Sequence, residues 1–161
     1  MIVSEGISQD DRKYIEDILR STGFFYESEI KTALDIADIT ISEGIENSGY
    51  HWLKVSDEDG RITAFANYGR NDFSVHSWEL YWIAVNEKVR NLNLGSILLR
   101  RAEENVVKEG GRILWIETSG RPLYAPTEAF YRRNGYELQA SLKDFYGPGD
   151  PKQIYAKQLK K

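Results

Sequence analysis

The sequence predicts one α/β domain. Two observations carry the prediction. The apolar residues repeat with a helical period before about residue 42 and alternate from Tyr50 onwards, and an apolar strand at Trp78 to Val85 passes through a short loop into a new helical pattern. A third observation sets the domain count: no linker, internal repeat or low-complexity segment interrupts the 161 residues, which suffice for one sizeable core.

Each element has a local reason. Ser8 with Asp10 and Asp11 reads as a helix start, and the helix runs to about Ser21, burying Tyr14, Ile15, Ile18 and Leu19 before Gly23 stops it. A second helix spans Glu27 to Ser42, with Ile30, Ala33, Leu34, Ala37 and Ile41 on one stripe. His51 to Val55 and Arg61 to Tyr68 form a hairpin about Asp57-Glu58-Asp59-Gly60. Trp78 to Val85 is the third strand, and the helix after it turns Ile97, Leu98, Leu99, Ala102, Val106 and Val107 inward and stops at Gly110-Gly111. Arg112 to Thr118 is a strand. Pro126 to Asn134 is a short helix, with Pro suited to its first turn and Gly135 to its end. Tyr136 to Tyr146 and Lys152 to Leu159 close the chain as a hairpin. The order is two helices, three strands, helix, strand, helix, two strands.

Composition narrows the function classes. Hydrophobic residues at 41% and charged residues at 29% fit a soluble globular protein, and no apolar run is long enough to span a membrane. The start MIVSEGISQDDRK lacks the basic and apolar regions of a signal peptide, so a cytoplasmic location is expected. The absence of Cys removes disulfides, thiolate nucleophiles and Cys-based metal sites. His51 and His76 are the only histidines and lie on different segments, and no HExxH occurs, so no metal is expected. GxSxG and GxxxxGK[ST] are also missing. The net charge of −4 argues against general nucleic-acid binding. The charge is uneven, however: Lys88, Arg90, Arg100 and Arg101 meet only Glu87 between Asn86 and Arg101.

That basic excess falls on Val89-Arg90-Asn91-Leu92-Asn93-Leu94-Gly95-Ser96, between the third strand and its helix. The first N–H groups of a helix have no internal partners, and the helix dipole favours negative charge there, so a strand, loop and helix start suit a phosphate. Gly95 permits close backbone approach, and Asn93 is among the few side chains that tolerate the left-handed region. The alternative is a plain strand-to-helix turn with a solvated basic face.

The loop, the strand before it and the segment Phe130-Tyr131-Arg132-Arg133-Asn134-Gly135-Tyr136 together resemble the acyl-CoA-binding core of the GNAT N-acetyltransferase superfamily. The likeness covers residues 78–159 most closely, while the domain would comprise residues 1–161. It implies a mixed, mostly antiparallel central sheet flanked by helices, with splayed central strands. The family loop reads Gln or Arg, two residues, Gly, one residue, Gly or Ala; this chain supplies Arg90, Asn93 and Gly95, with Asn93 in place of the first Gly. By resemblance, the N–H groups of Arg90, Asn91, Leu92, Asn93, Leu94, Gly95 and Ser96 bind the diphosphate of acetyl-CoA, with Arg90 on an outer phosphate and Arg100 or Arg101 toward the 3′-phosphate. Ile83, Ala84 and Val85 pair with the pantetheine amides as an added strand would, and the Val85 N–H lies by the thioester carbonyl.

The resemblance also assigns chemistry. Tyr131 occupies the proton-donor position toward the departing sulfur; the alternative is a core tyrosine. Tyr124 stands where many relatives carry a cofactor-holding Asn. Glu79, which alternation puts on one face with Tyr81 and Ile83, matches the base position of the histone-acetyltransferase branch, and Glu117 is the second candidate. The acceptor, a primary amine of a small molecule or peptide, would meet Phe24, Phe25, Tyr26, Tyr81, Glu117 and Tyr146, with Asp144 and Asp150 nearby; aromatics with acids suit a cation. Helix packing is the alternative for the aromatics and turn chemistry for Asp150. Direct attack of the amine in a ternary complex is the implied mechanism. The other reading is a non-catalytic acyl-CoA sensor or interaction module. A homodimer is compatible with either.

Overall fold

The structure is a computed structural model that describes residues 1–160. Seven strands form one mixed sheet in the order β1-β2-β3-β4-β5-β7-β6. The strands are β1 (Ile2–Glu5), β2 (Tyr50–Ser56), β3 (Ile62–Arg70), β4 (Ser77–Val85), β5 (Ile113–Ser119), β6 (Glu137–Gly147) and β7 (Asp150–Gln158). The helices are α1 (Arg12–Thr22), α2 (Glu27–Ser48), α3 (Leu94–Lys108) and α4 (Ala125–Arg133). The β4–β5 pairing is parallel, whereas β1–β2, β2–β3, β5–β7 and β6–β7 are antiparallel. The chain divides into two compact units, Met1–Gly69 with Tyr81–Glu104, and Arg70–Leu80 with Asn105 onward.

In the first unit, α1 and α2 bury one stripe each. Ile15, Ile18, Leu19, Ile30, Ala33, Leu34 and Ala37 join Trp52, Ile62, Phe65 and Ala84 in one core. The buried Trp52 indole donates to Thr40 Oγ1 at 3.0 Å, so its N–H is not lost on burial. Asp11, also buried, accepts from Ser8 N at 2.8 Å and pairs with Lys54 Nζ at 2.6 Å, which ties the start of α1 to β2. The structure departs from the sequence expectations at four points here. β1 was not predicted; it pairs Ile2–Glu5 antiparallel with Ser56–Leu53, since a four-residue edge strand has too little pattern to read. The second helix continues past Ser42 to Ser48, bending where Gly44 takes φ 78°. Thr40 rather than Ile41 is buried on it, and on α3 Ile97 is exposed.

The second unit holds β5, β7 and β6, with β4 pairing its residues Ser77–Leu80 to Ile113–Ile116. α3 ends in a double hydrogen bond: Gly110 N donates to Val107 O at 3.0 Å and Gly111 N to Val106 O at 2.8 Å. Gly110 is left-handed at φ 86°. Gly111 is required for a different reason. A Cβ there would sit 2.4 Å from Val106 Cγ1 and 2.5 Å from Trp78 Cδ1.

Candidate functional site

The loop after β4 belongs to the first unit. Asn86 closes the strand: its N donates to Thr63 O at 2.8 Å and its side chain accepts from Lys88 N at 3.0 Å. Glu87 N donates to Ser21 Oγ at 3.3 Å and Val89 N to Asn86 O at 2.9 Å. A 3₁₀ turn covers Glu87–Leu92, and Asn93 then reverses the chain at φ 58°, ψ 24°. The left-handed conformation expected of Asn93 is therefore present. The first α3 bond outside the turn runs from Ile97 N to Asn93 O at 3.2 Å. The N–H groups of Leu94, Gly95 and Ser96 precede it, and no side-chain acceptor among the described residues meets them. Arg90, Asn91 and Leu92 lie in the 3₁₀ segment before α3, which is broken at Val89, where φ is -124° and ψ 19°.

Arg90 does not simply point to solvent. Its Nη2 donates to Thr22 O at 3.3 Å in the last turn of α1, and its guanidinium lies 5.5 Å from the Phe24 ring centroid. A cation on an orphan carbonyl at a helix end is favourable. Phe24 is thus paired with the loop. Phe25 packs edge-on against Trp82 with centroids 5.3 Å apart, while Tyr26 is exposed. Tyr81 meets Tyr50 at 5.8 Å, and both Tyr50 and Trp82 pack on the α1–α2 core, as does Ala84. Successive residues Tyr81 and Trp82 therefore turn to the same side. The alternation that groups Ile83 with Glu79 and Tyr81 breaks at this point, as it does at a bulge. The parallel ladder to β5 ends at Leu80↔Ile116, while β4 runs on through Ile83, Ala84 and Val85.

Tyr131 belongs to the second unit and is fixed by the end of its helix. Gly135, at φ 90°, donates to Arg132 O at 3.0 Å, and Tyr136 N donates to Tyr131 O at 3.0 Å. This two-bond stop brings an apolar residue after the helix onto one in its last turn; here Tyr136 packs edge-on against Tyr131 at 6.0 Å. Two more rings pack on Tyr131, that of Tyr155 of β7 at 6.0 Å and that of Phe130 at 5.3 Å. Tyr131 is 5% exposed. Burial lifts its phenol far above the ordinary value, and the adjacent Tyr124 adds to the rise. The group remains protonated throughout the neutral range and can donate. Tyr124 is itself buried, with the Arg121 guanidinium 5.3 Å from its ring centroid. Sequence reasoning passed over Arg121, because an arginine in a loop carries no periodic signal.

The acidic candidates separate. Glu117 Oε2 is 2.7 Å from Lys152 Nζ, and that ammonium lies 4.3 Å from the Phe145 ring centroid. Asp144, left-handed at φ 55°, accepts from Gly149 N at 2.9 Å and so closes the β6–β7 turn. Asp150 binds Ser119 and Arg121. Tyr146 packs on Phe145 at 5.0 Å and is exposed. Glu79 is half-buried beside Trp115 in the parallel ladder. No group of three or more metal-ligating side chains is found among the described residues, and no helix among them is long and apolar enough to cross a membrane.

Comparison with known proteins agrees with this architecture. The family model for the acetyltransferase (GNAT) family matches residues 13–136. A GNAT-family protein of known structure from Desulfovibrio desulfuricans is 34% identical, with 99% of each chain covered and a TM-score of 0.95. An aminoglycoside 6′-N-acetyltransferase complexed with coenzyme A shares the fold at 20% identity and TM-score 0.76, covering 100% of this chain and 98% of the other. The ribosomal-protein-S18-alanine N-acetyltransferase from Escherichia coli does so at 18% identity and TM-score 0.74, covering 99% and 96%. A search among curated proteins gives no match. The chain belongs to the GNAT acetyltransferase family.

Proposed function

We propose that this protein transfers an acetyl group from acetyl-CoA to a primary amine of a small molecule or peptide, by direct attack in a ternary complex. The observation that carries the reading is the start of α3. Asn93 turns the chain at φ 58°, and the amides of Leu94, Gly95 and Ser96 follow it without acceptors among the described residues. Unmet donors at a helix N-terminus favour a diphosphate through hydrogen bonds and the helix dipole together. The residues fit the group: the donors are main-chain amides that carry no charge of their own, and Lys88, Arg90, Arg100 and Arg101 surround them in sequence.

Acetyl-CoA, when bound, supplies an activated acyl group as its thioester. The chain's own residues do the rest. Ile83, Ala84 and Val85 offer extended backbone to the pantetheine amides, and the Val85 N–H stabilises negative charge developing on the acyl oxygen. Tyr131, kept protonated by its burial, donates to the departing sulfur. Glu79 removes a proton from the acceptor ammonium through water. Glu117, whose carboxylate is paired with Lys152, is the second candidate for this role. The amine-acetylating relatives, which act on an aminoglycoside and on ribosomal protein S18, support an amine as acceptor.

The test is release of free CoA thiol over a panel of amines, run beside calorimetric titration with acetyl-CoA. Binding with amine-dependent thiol release is the expected result. Binding without release from any amine would assign an acyl-CoA sensor, and no binding would remove the diphosphate site.

A further inference from the structure

We infer that Asp150, Ser119 and Arg121 are positioning residues that fix Tyr124 and, through it, Tyr131. This rests on the reading of Tyr131 as the proton donor. Asp150 opens β7 directly after a hairpin turn, a place where an aspartate ordinarily caps the turn's own amides. Asp144 does that here, accepting from Gly149 N at 2.9 Å. Asp150 instead reaches across the sequence. One oxygen accepts from the Ser119 hydroxyl, and the other lies 3.4 Å from Arg121 Nε. The Asp150 and Arg121 side chains are 13% and 24% exposed, so water screens the pair only in part.

The contacts then run toward the phenol. Ser119 Oγ also accepts from Arg121 N at 3.1 Å, and Gly120 N donates to Pro151 O at 2.9 Å. The backbone between them is pressed against β7: a Cβ at Gly120 would lie 2.7 Å from Pro151 Cγ. Arg121 therefore has its main chain and its guanidinium both held. Its carbonyl accepts from Tyr124 N at 2.9 Å, and its guanidinium covers the Tyr124 ring. Tyr124 leads directly into α4, and Tyr131 follows it at a spacing of two helical turns, which puts the two phenols on one face. Both are buried. Tyr124 also acts electrostatically on Tyr131, in keeping with a close pair. Loss of the Asp150 anchor removes the ion pair that orients Arg121, loosens its cover on Tyr124 and admits water to Tyr131.

The experiment compares Asp150→Asn, Ser119→Ala and Arg121→Lys with the wild type. Two readouts are taken: kcat and KM for acetyl-CoA in the thiol-release assay, and phenol ionisation followed by the ultraviolet absorbance of the native protein. The expected result is a fall in kcat of about tenfold to a hundredfold with KM changed by less than about twofold. One buried phenol should titrate at lower pH than in the wild type, toward the ordinary value of about 10, and that shift should vanish when Tyr131→Phe is added. Folded variants with the wild-type kcat and the wild-type phenol titration would overturn the inference. If the wild type releases no thiol with any amine, the acetyl-transfer reading fails on its own, and the phenol titration still decides whether the anchor positions Tyr131. Should Asp150→Asn fail to fold, the same two readouts on Arg121→Lys decide the matter, because that variant keeps the charge facing Asp150 but loses the planar cover on Tyr124.

Discussion

Asn93 is the residue on whose backbone conformation the proposed diphosphate site depends most directly. It occupies φ 58°, ψ 24° at the junction of the 3₁₀ turn and α3. An ordinary L-residue held there loses roughly 1–2 kcal/mol to the clash of Cβ with the following carbonyl, and Asn avoids much of it. Asn93→Ala should therefore destabilise the protein by about 1 kcal/mol, and the β-branched Asn93→Val by nearer 2. Asn93→Gly removes the clash but gives the unfolded chain more freedom, an offset of roughly 0.5–1 kcal/mol, so its stability should stay close to wild type. In a chain of 161 residues, 1 kcal/mol corresponds to about 2–4 °C in Tm.

The same series reads the proposed site. The three amides of α3 keep their direction only while residue 93 is left-handed. A substitution that relaxes the turn withdraws them, and each kcal/mol of lost alignment weakens CoA binding about fivefold. Calorimetric Kd values for CoA should then rank Gly and Asn tightest, Ala weaker and Val weakest, parallel to the Tm values. Asn93→Val with both Tm and Kd unchanged would refute the conformational argument. A Tm that falls as worked while Kd holds would refute the diphosphate assignment alone.

Tyr131→Phe should lower kcat about a hundredfold, with KM for acetyl-CoA nearly unchanged; an unchanged kcat removes Tyr131 from the donor role. Gly95→Glu should abolish CoA binding by placing a carboxylate where the diphosphate is assigned, and retained affinity by calorimetry would move the diphosphate elsewhere. Stability should fall steeply in alkali. Burial raises the folded-state pKa of Tyr131, and pushes that of Tyr155 up to about 12, with the nearby Glu128 adding to the rise. The unfolded state therefore loses these two protons first. Stability is fully present below about pH 10, and above it each tyrosine removes about 1.4 kcal/mol per pH unit. Urea midpoints should show this slope, roughly halved in Tyr131→Phe, and a flat profile to pH 11 would contradict the burial argument.

Much of this fold was legible because its signals are local. The α1 and α2 stripes, the Asp57 turn and the stops at Gly110-Gly111 and Gly135 each follow from a few adjacent residues whose preferences agree with the tertiary structure. The left-handed Asn93 was legible on the same ground. What escaped depends on partners distant in sequence. β1 is defined by its pairing with β2, and the break at Tyr81–Trp82 by side chains of α2, β2 and the α1–α2 connection. Phe24 was expected to face an acceptor, and its contact with Arg90 arises from folding α1 against the loop after β4. Glu117 and Asp150 looked alike as acids near a hairpin. Only the β5–β7 register, with Ser119 opposite Lys152, shows that one serves Lys152 and the other Arg121.

The stops of α3 and α4 show how one local device serves two ends. Both helices finish with a left-handed glycine and two reversed hydrogen bonds, and in both the residue after the glycine is held against the last turn. After α3 that residue is Gly111, and the result is close approach of both Val106 and Trp78 to its bare backbone. After α4 it is Tyr136, and the ring it presses on carries a hydroxyl. Tyr131 is then enclosed by Phe130, Tyr136 and Tyr155, which keep its proton in place, while Tyr124 and Arg121 hold the other end of the helix. A tyrosine whose only duty was to fill the core would need the enclosure alone. The ion pair that anchors Arg121 to Asp150 adds nothing to apolar burial, and its place in the chain of contacts is explained by the orientation of the phenol.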